Sequence, residues 1–284
     1  MARGLDHIVH AVADLDAAAG LYRALGFTVG ARNRHPWGTH NHIVQLPGFF
    51  IELLTLAEPD KMSGDLFSAT FGEYNRDFIA RGDGLSMLVL ESHAAAEDEA
   101  AFRAADIAAS AAMRFDREAT KPDGSPVKVA FTLAFAKGTQ APDINFFTCQ
   151  QHYPENFWNP AFQRHDNTVR AVAGVVLVAE EPAQHREFLL AYTGAAAARE
   201  QAGGFSIDLP RGTIGVMTRS AFGDRFGQQA PVTERGPRLA ALRLRTGDPR
   251  SAGDLLDKVG IFVTPLKAGA ISATIAGATL VFEP

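Results

Sequence analysis

Cysteine is almost missing from this chain. Cys149 is the only one in 284 residues, so no internal disulfide can form, and a reducing, cytoplasmic setting is expected. A lone cysteine of this kind reads as a small buried residue rather than a nucleophile. No run approaches the roughly 20 unbroken apolar residues that a membrane span needs. Concentrated positive charge is also lacking. A net charge of -5 with 21% charged residues gives no electrostatic reason to expect nucleic acid as a partner. The opening MARGLDHIVH enters a β-type pattern directly, with no signal-peptide apolar block. What remains is an ordinary globular composition, 46% hydrophobic, and a length that suggests about two domains.

A repeated rhythm fills that length. LDHIVHAV (5–12) is a β-type run rich in branched residues. ADLDAAAGLYRALGF (13–27) follows as a helix that Asp14 or Asp16 can cap, with Leu15, Ala18, Ala19, Tyr22 and Leu25 on its apolar face and Gly26 at its end. FTVGAR (27–32), HNHIVQL (40–46) and FFIELLTL (49–56) read as three strands. The same order returns in GLSMLVLES (84–92), the alanine-rich helix of 94–112, RFDREAT, KVAFTLAFAK and DINFFT. A third copy begins at TVRAVAGVVLVAEEPAQHREFLLAYTG and a fourth at PRLAALRLRTGDPRSAGDLLDKVG. Four βαβββ units in two pairs predict an α+β fold with two cupped mixed sheets, each carrying helices on its outer face. The expected organisation is an N-terminal domain over 1–152, an ordered connector over 153–167 and a C-terminal domain over 168–284.

This rhythm, with its opening LDHIVHAVADLDAAAGLYRALGF, resembles the vicinal oxygen chelate superfamily. That group includes glyoxalase I, extradiol dioxygenases, methylmalonyl-CoA epimerase and the bleomycin-resistance proteins. RHPWGTHNHIVQLPGFFIELL and QQHYPENFWNPAFQRHDNTV look more narrowly like its tandem glyoxalase-like subgroup. The resemblance spans nearly the whole chain and is strongest over residues 5–56. It implies that each pair of units curls into a cup with metal ligands pointing inward.

Strand alternation tests that implication. His7, Val9 and Ala11 share one face of the first strand, and the opposite face suits packing on the helix, so His7 faces the cup. Glu52 is a carboxylate in an otherwise apolar strand, and burying it unpaired is costly, so a cation, donor or ligand is expected beside it. His7 and Glu52 coincide with two positions that are metal ligands in glyoxalase I. The other ligand positions depart from the family. Aligned on Val12, they fall on Leu85, Ala173 and Leu239, and phenylalanine stands near the second glutamate position, with Glu283 a terminal counterpart. A divalent metal (Zn, Fe, Mn or Ni) would therefore find an incomplete set of His7 and Glu52, with His152 the nearby candidate for a third ligand, since catalytic zinc typically takes three protein ligands. The C-terminal cup is expected to lack a ligand cluster, with Ala173, Val216 and Leu239 near its inward positions.

Two further segments carry candidate residues. CQQHYPENFWNPAFQRH (149–165) leaves the first cup at its rim, so Gln150, Gln151 and His152 are assigned to the site. Beyond Pro154 the run is assigned to a packed connector, with Phe157, Trp158 and Phe162 between domains and His165 and Asn167 on backbone groups. The loop RNRHPWGTHN (32–41) offers Arg34 for a carboxylate or phosphate, His35 as a proton carrier and Trp37 as a stacking surface, all expected at the mouth of the Glu52 pocket. His10, His93 and His185 read as structural or solvent-facing, while His40 and His42 stay undecided.

Three function classes fit these residues. One is a metal-dependent lyase, isomerase or dioxygenase that chelates vicinal oxygens and stabilises an enolate-type anion. The second is a metal-free enzyme using His7 and Glu52 as an acid/base pair. The third is a small-molecule binding protein of the bleomycin-resistance type. All three take a small-molecule partner, need neither nucleic acid nor membrane, and allow a monomer or a homodimer, since four units complete both cups within one chain.

Overall fold

The computed structural model of the chain describes residues 1–120, 124–138 and 140–284. Its first sheet comprises β1 (Leu5–Ala11), β2 (Asn33–Arg34), β3 (Thr39–Leu46), β4 (Phe49–Leu56), β5 (Gly84–Ser92), β6 (Met113–Thr120), β7 (Pro126–Ala136) and β8 (Asn145–Gln151). The second comprises β9 (Val169–Val178), β10 (Arg199–Gln201), β11 (Gly204–Asp208), β12 (Thr213–Met217), β13 (Arg238–Thr246), β14 (Thr264–Pro265), β15 (Ile271–Ile275) and β16 (Ala278–Glu283). The orders match one to one, β2-β3-β4-β1-β5-β8-β7-β6 and β10-β11-β12-β9-β13-β16-β15-β14. Within each sheet two pairs are parallel, β1 with β4 and β5 with β8 in the first. This is the α+β architecture of four βαβββ units that the sequence rhythm predicts.

The helices are α1 (Leu15–Ala24), α2 (Tyr74–Ile79), α3 (Ala95–Ala104), α4 (Pro154–Phe157), α5 (Arg186–Thr193), α6 (Arg219–Phe226) and α7 (Pro249–Lys258). Asp14 caps α1 by accepting from the Ala17 amide at 2.9 Å. Among the described residues no helix is long and apolar enough to cross a membrane.

Alternation sorts the side chains into three cores. Ile8, Val12, Ile51, Leu53, Leu88 and Leu90 face the convex side of the first sheet, where they meet α1, α3, α5, α7 and the convex side of the second sheet in one continuous cluster. Val9, Leu54, Met87, Val89, Phe147 and Cys149 face the first cup. Val176, Met217, Ala241, Val281, Phe222 and Phe226 fill part of the second. The two sheets therefore pack back to back with their cups opening outward.

Several boundaries differ from the sequence expectation. FTVGAR does not form a strand, and β2 is a two-residue bridge further on, because only Asn33 and Arg34 pair with β3. Helix α3 stops at Ala104 instead of near residue 112. Asp106 adopts φ 56° and turns the chain back, which frees Met113 to open β6 against Leu133. A bulge between β1 and β5 shifts the register by one. As a result Met87 and Val89, not Leu85, occupy the inward positions. A like bulge between β9 and β13 puts Leu239 in the convex core rather than in the second cup, and Val216, paired in regular register with Phe205 and Leu177, lies there too.

Candidate functional site

The parallel pairing of β1 with β4 sets Val9 beside Glu52 and His7 beside Phe50. His7 and Glu52 thus arise from adjacent strands more than forty residues apart in sequence, and both point into the first cup. His7 Nε2 lies 4.0 Å from Glu52 Oε2, too far for a direct hydrogen bond but a suitable gap for one shared oxygen. His7 Nδ1 sits 2.6 Å from Asp6 Oδ2. The neutral ring then keeps its proton on Nδ1, donated to the carboxylate, and presents a bare Nε2 to the cavity. Gln151 Nε2 donates to the other Asp6 oxygen at 3.2 Å, and Phe50 stacks on the His7 ring with centroids 4.2 Å apart.

Glu52 is held from the opposite side. Asn41 Nδ2 donates to Glu52 Oε1 at 2.5 Å, Asn33 Nδ2 to Asn41 Oδ1 at 2.9 Å, and Arg117 Nη1 to Asn33 Oδ1 at 3.3 Å. Burial pushes the Glu52 carboxyl above its usual range, opposed by His7, by the Asn41 bond and by the Arg117 charge. Burial lowers the Arg117 guanidinium, and Glu52 holds it up in return.

Aromatic rings close the rest of the space. Trp37 stacks on His35 and on Phe67, each with centroids 4.8 Å apart. Phe71 and Phe147 meet edge to face. A cavity of about 60 Å³ remains between the acid/base residues and these rings. At roughly 10–15 Å³ per water in such a measure, it takes a handful of heavy atoms. The indole Nε1 of Trp37, a residue of the cavity wall, has no hydrogen-bond partner, an arrangement that native interiors rarely leave uncompensated.

The structure brings together His7, Glu52, His35 and Trp37 on this cavity. Arg34 does not join them. It is an exposed residue of β2 on a neighbouring groove lined by the connector. His35 is not a proton carrier, because burial, then the charges of Arg117 and His40, depress its ring to about 3 and keep it neutral. Gln150 caps α3 through the Ala95 amide and binds the His93 carbonyl, away from the cavity. Gln151 acts behind the site, through Asp6. His152 turns to the other face, with Nε2 2.7 Å from Thr132 Oγ1 and 3.3 Å from Arg114, so it supplies no third ligand. The connector is a wall of the site as well as a linker, since Phe157 packs on Phe50 and Phe131 and lines the cavity. Both ring nitrogens of His165 bind backbone groups, at Thr28 and Gln45, and Asn167 binds the Leu25 carbonyl.

The donors present do not fit a resident catalytic metal at the expected place. His7 and Glu52 are two ligands, the matching inward positions are Met87 and Phe147, and the Arg117 guanidinium that acts on Glu52 is itself a cation. A different group, Asp6, His7 and Cys149, does set one ligand atom each within 4.8 Å of one another. It is closed by the Asp6–His7 hydrogen bond, and burial followed by the charges of Asp6 and Glu52 raises the Cys149 thiol well above its usual range, whereas a metal binds the thiolate.

Sequence and fold comparisons agree with this architecture. The model of the glyoxalase-like domain matches residues 5–193, and the chain belongs to that family. No curated protein matches. Among solved structures, a hypothetical protein from Staphylococcus aureus superposes with TM-score 0.70 at 13% identity, covering 99% of both chains. A triple mutant of 4-hydroxymandelate synthase from Streptomyces coelicolor gives TM-score 0.56 at 12% identity, covering 99% of this chain and 92% of that one. A fusion of a xylose isomerase-like TIM barrel with 4-hydroxyphenylpyruvate dioxygenase gives 0.52 at 13% identity, over 99% and 48%. These likenesses show the vicinal oxygen chelate fold.

Proposed function

We propose that the first cup is the active site of a glyoxalase-like enzyme that moves a proton on a small, oxygen-rich substrate through an enolate-type intermediate. The observation that carries this reading is the buried Glu52, raised in proton affinity and 4.0 Å from His7 Nε2. A carboxylate lifted toward neutrality is a competent base, and efficiency peaks when the catalytic group's affinity lies near the working pH. Glu52 takes a proton from carbon. The bare Nε2 of His7, oriented by Asp6, accepts the hydrogen bond of a substrate hydroxyl, while the electron pair freed at carbon moves onto the neighbouring carbonyl oxygen and Arg117 stabilises the negative charge that develops there. The Arg117–Asn33–Asn41–Glu52 chain fixes the base, and the aromatic wall excludes water.

The test is proton wash-out into D₂O, followed by NMR on a panel of small 2-hydroxy- and 2-oxo-carbonyl compounds. Exchange is expected with at least one, reduced at least about 10²-fold in Glu52→Gln, within the usual range for losing a general base. Exchange that survives Glu52→Gln removes the residue from the mechanism. The second reading is a binding protein without turnover, favoured by the aromatic lining. Saturable binding with no exchange from any compound would establish it.

A further inference from the structure

The sequence expectation for the second cup concerns only a ligand cluster, and the cup carries polar chemistry of a different kind. On its inner face Ser206 of β11 stands directly across from Gly215 of β12. Both line a pocket of about 170 Å³ that also receives Arg199, Arg225 and Arg243. Through Gln201, Met217 and Arg225 this pocket adjoins a wider cleft of about 1170 Å³ under α6.

The charges do not balance. Arg243 is paired in fork geometry with Glu283, at 2.6 and 2.9 Å, and Arg199 faces Asp208 at 3.6 Å. Among the described residues no carboxylate lies within ion-pair distance of Arg225, whose fork reaches Gln201 Oε1 at 3.1 Å and whose plane lies over Phe226. Three guanidiniums against two carboxylates leave one positive charge. The guanidiniums also crowd each other, since Arg225 is depressed by burial and then by Arg243 and Arg199, with the Glu283 charge opposing them in part. The Ser206 hydroxyl, in a residue only 5% exposed, has no hydrogen-bond partner, an arrangement that native interiors rarely leave uncompensated. Gly215 leaves the floor open, because a Cβ there would meet nothing closer than 3.8 Å.

We propose that this second cup is a binding site for a small monocarboxylate, its anionic group held by Arg225 and Ser206 and its carbon body directed into the α6 cleft. One uncompensated charge matches a monoanion, and the guanidinium fork matches a carboxylate in shape. The site is separate from the His7–Glu52 cavity and stands whether or not that cavity turns over substrate.

The experiment is a ¹⁵N-NMR titration of the full chain with butyrate, and in parallel with inorganic phosphate, at constant ionic strength set with chloride. Butyrate is expected to saturate, with shifts centred on β11, β12 and α6. Arg225→Gln should weaken it at least about tenfold, equivalent to about 1.4 kcal/mol. Gly215→Val, which fills the floor, should abolish it. Ser206→Ala, which removes only the hydroxyl, should weaken it and serves if Gly215→Val does not fold. The proposal is overturned by the absence of saturation, by tighter binding of phosphate than of butyrate, or by butyrate affinity unchanged in both Arg225→Gln and Ser206→Ala.

Discussion

Glu52 and His35 are buried within one cavity, and burial gives each a pH signature of its own. The folded Glu52 carboxyl holds its proton more tightly than the unfolded one. Its stabilising share is therefore present at low pH and is lost as pH rises through the raised value. Glu52→Gln keeps the Asn41 acceptor and removes the charge. The variant should match the parent at pH 4.5 and be more stable at pH 8, and urea midpoints at the two pH values read this directly. A variant less stable at pH 8 would show that the charged form is well compensated. His35 runs the other way, because its folded ring binds a proton only near 3 while the unfolded ring binds one near 6.5. Its share is present above 6.5 and is lost as pH falls from there toward 3, at up to about 1.4 kcal/mol per pH unit. His35→Phe, which retains stacking on Trp37, should flatten stability between pH 6 and 4. An unchanged slope would assign the acid sensitivity to other groups, such as the buried His10, also depressed by burial.

At the scale of elements, period-2 alternation made β1 and β4 readable, and with them His7 and Glu52. Arg117 was readable in the same way, since Phe115 and Arg117 share a face of RFDREAT. Nothing local, however, shows that this edge strand will curl round to meet the opposite edge strand β2, where Arg117 bonds Asn33 across 84 residues of sequence. The helical stretch between β4 and β5 was also signalled, by aromatics at 67, 71, 74 and 78, a spacing of about one turn each. It includes a π-helical segment, Ser68–Glu73, a form enriched at functional sites, and it delivers Phe71 to the cavity wall and Phe67 to the Trp37 ring that lines it. His152 escapes the sequence expectation because the strand runs on past Thr148: Gln151 pairs with Phe131 and the His152 amide still donates to the Ala130 carbonyl at 2.9 Å, so alternation turns the His152 ring to Thr132 on the outer face. The aromatic residues of the connector suggest packing between domains, yet Gln45 ties it to the cup. Gln45 Nε2 donates to the Phe157 carbonyl at 2.7 Å, and Gln45 Oε1 accepts from the Asn159 amide at 3.0 Å. Gln45→Ala should destabilise the fold by about 1–3 kcal/mol, the usual cost of stranding buried partners. It should also raise hydrogen exchange at 153–167 before it touches β7 or β8. Equal protection in variant and parent would mean that aromatic packing alone holds the wall.

The whole molecule is two like sheets joined through their convex faces, and this decides whether one half can unfold without the other. Phe146 of β8 meets Phe188 and Tyr192 of α5, with centroids 4.9 and 5.2 Å apart. The Tyr192 hydroxyl reaches the Leu88 and Phe147 carbonyls at 2.6 and 2.8 Å. His10 Nε2 donates to the Ala276 carbonyl at 2.7 Å while its Nδ1 accepts from the Tyr22 hydroxyl at 2.9 Å. Beside it the β15–β16 turn presses against the start of β5. Gly277 has φ +74°, and a Cβ there would stand 1.9 Å from the Asp83 carbonyl oxygen, so only glycine fits. Because the convex core is one cluster shared by both sheets, separating the halves would bare apolar surface on each, and the chain is expected to melt in a single calorimetric transition. Gly277→Ala strains the joint without touching either cup. It should lower that one transition by several degrees, at roughly 2–4 °C per kcal/mol for a chain of this size, with no second peak. Two transitions, with only the later or the earlier one displaced, would show that the halves fold as independent units and that the shared core contributes little to either.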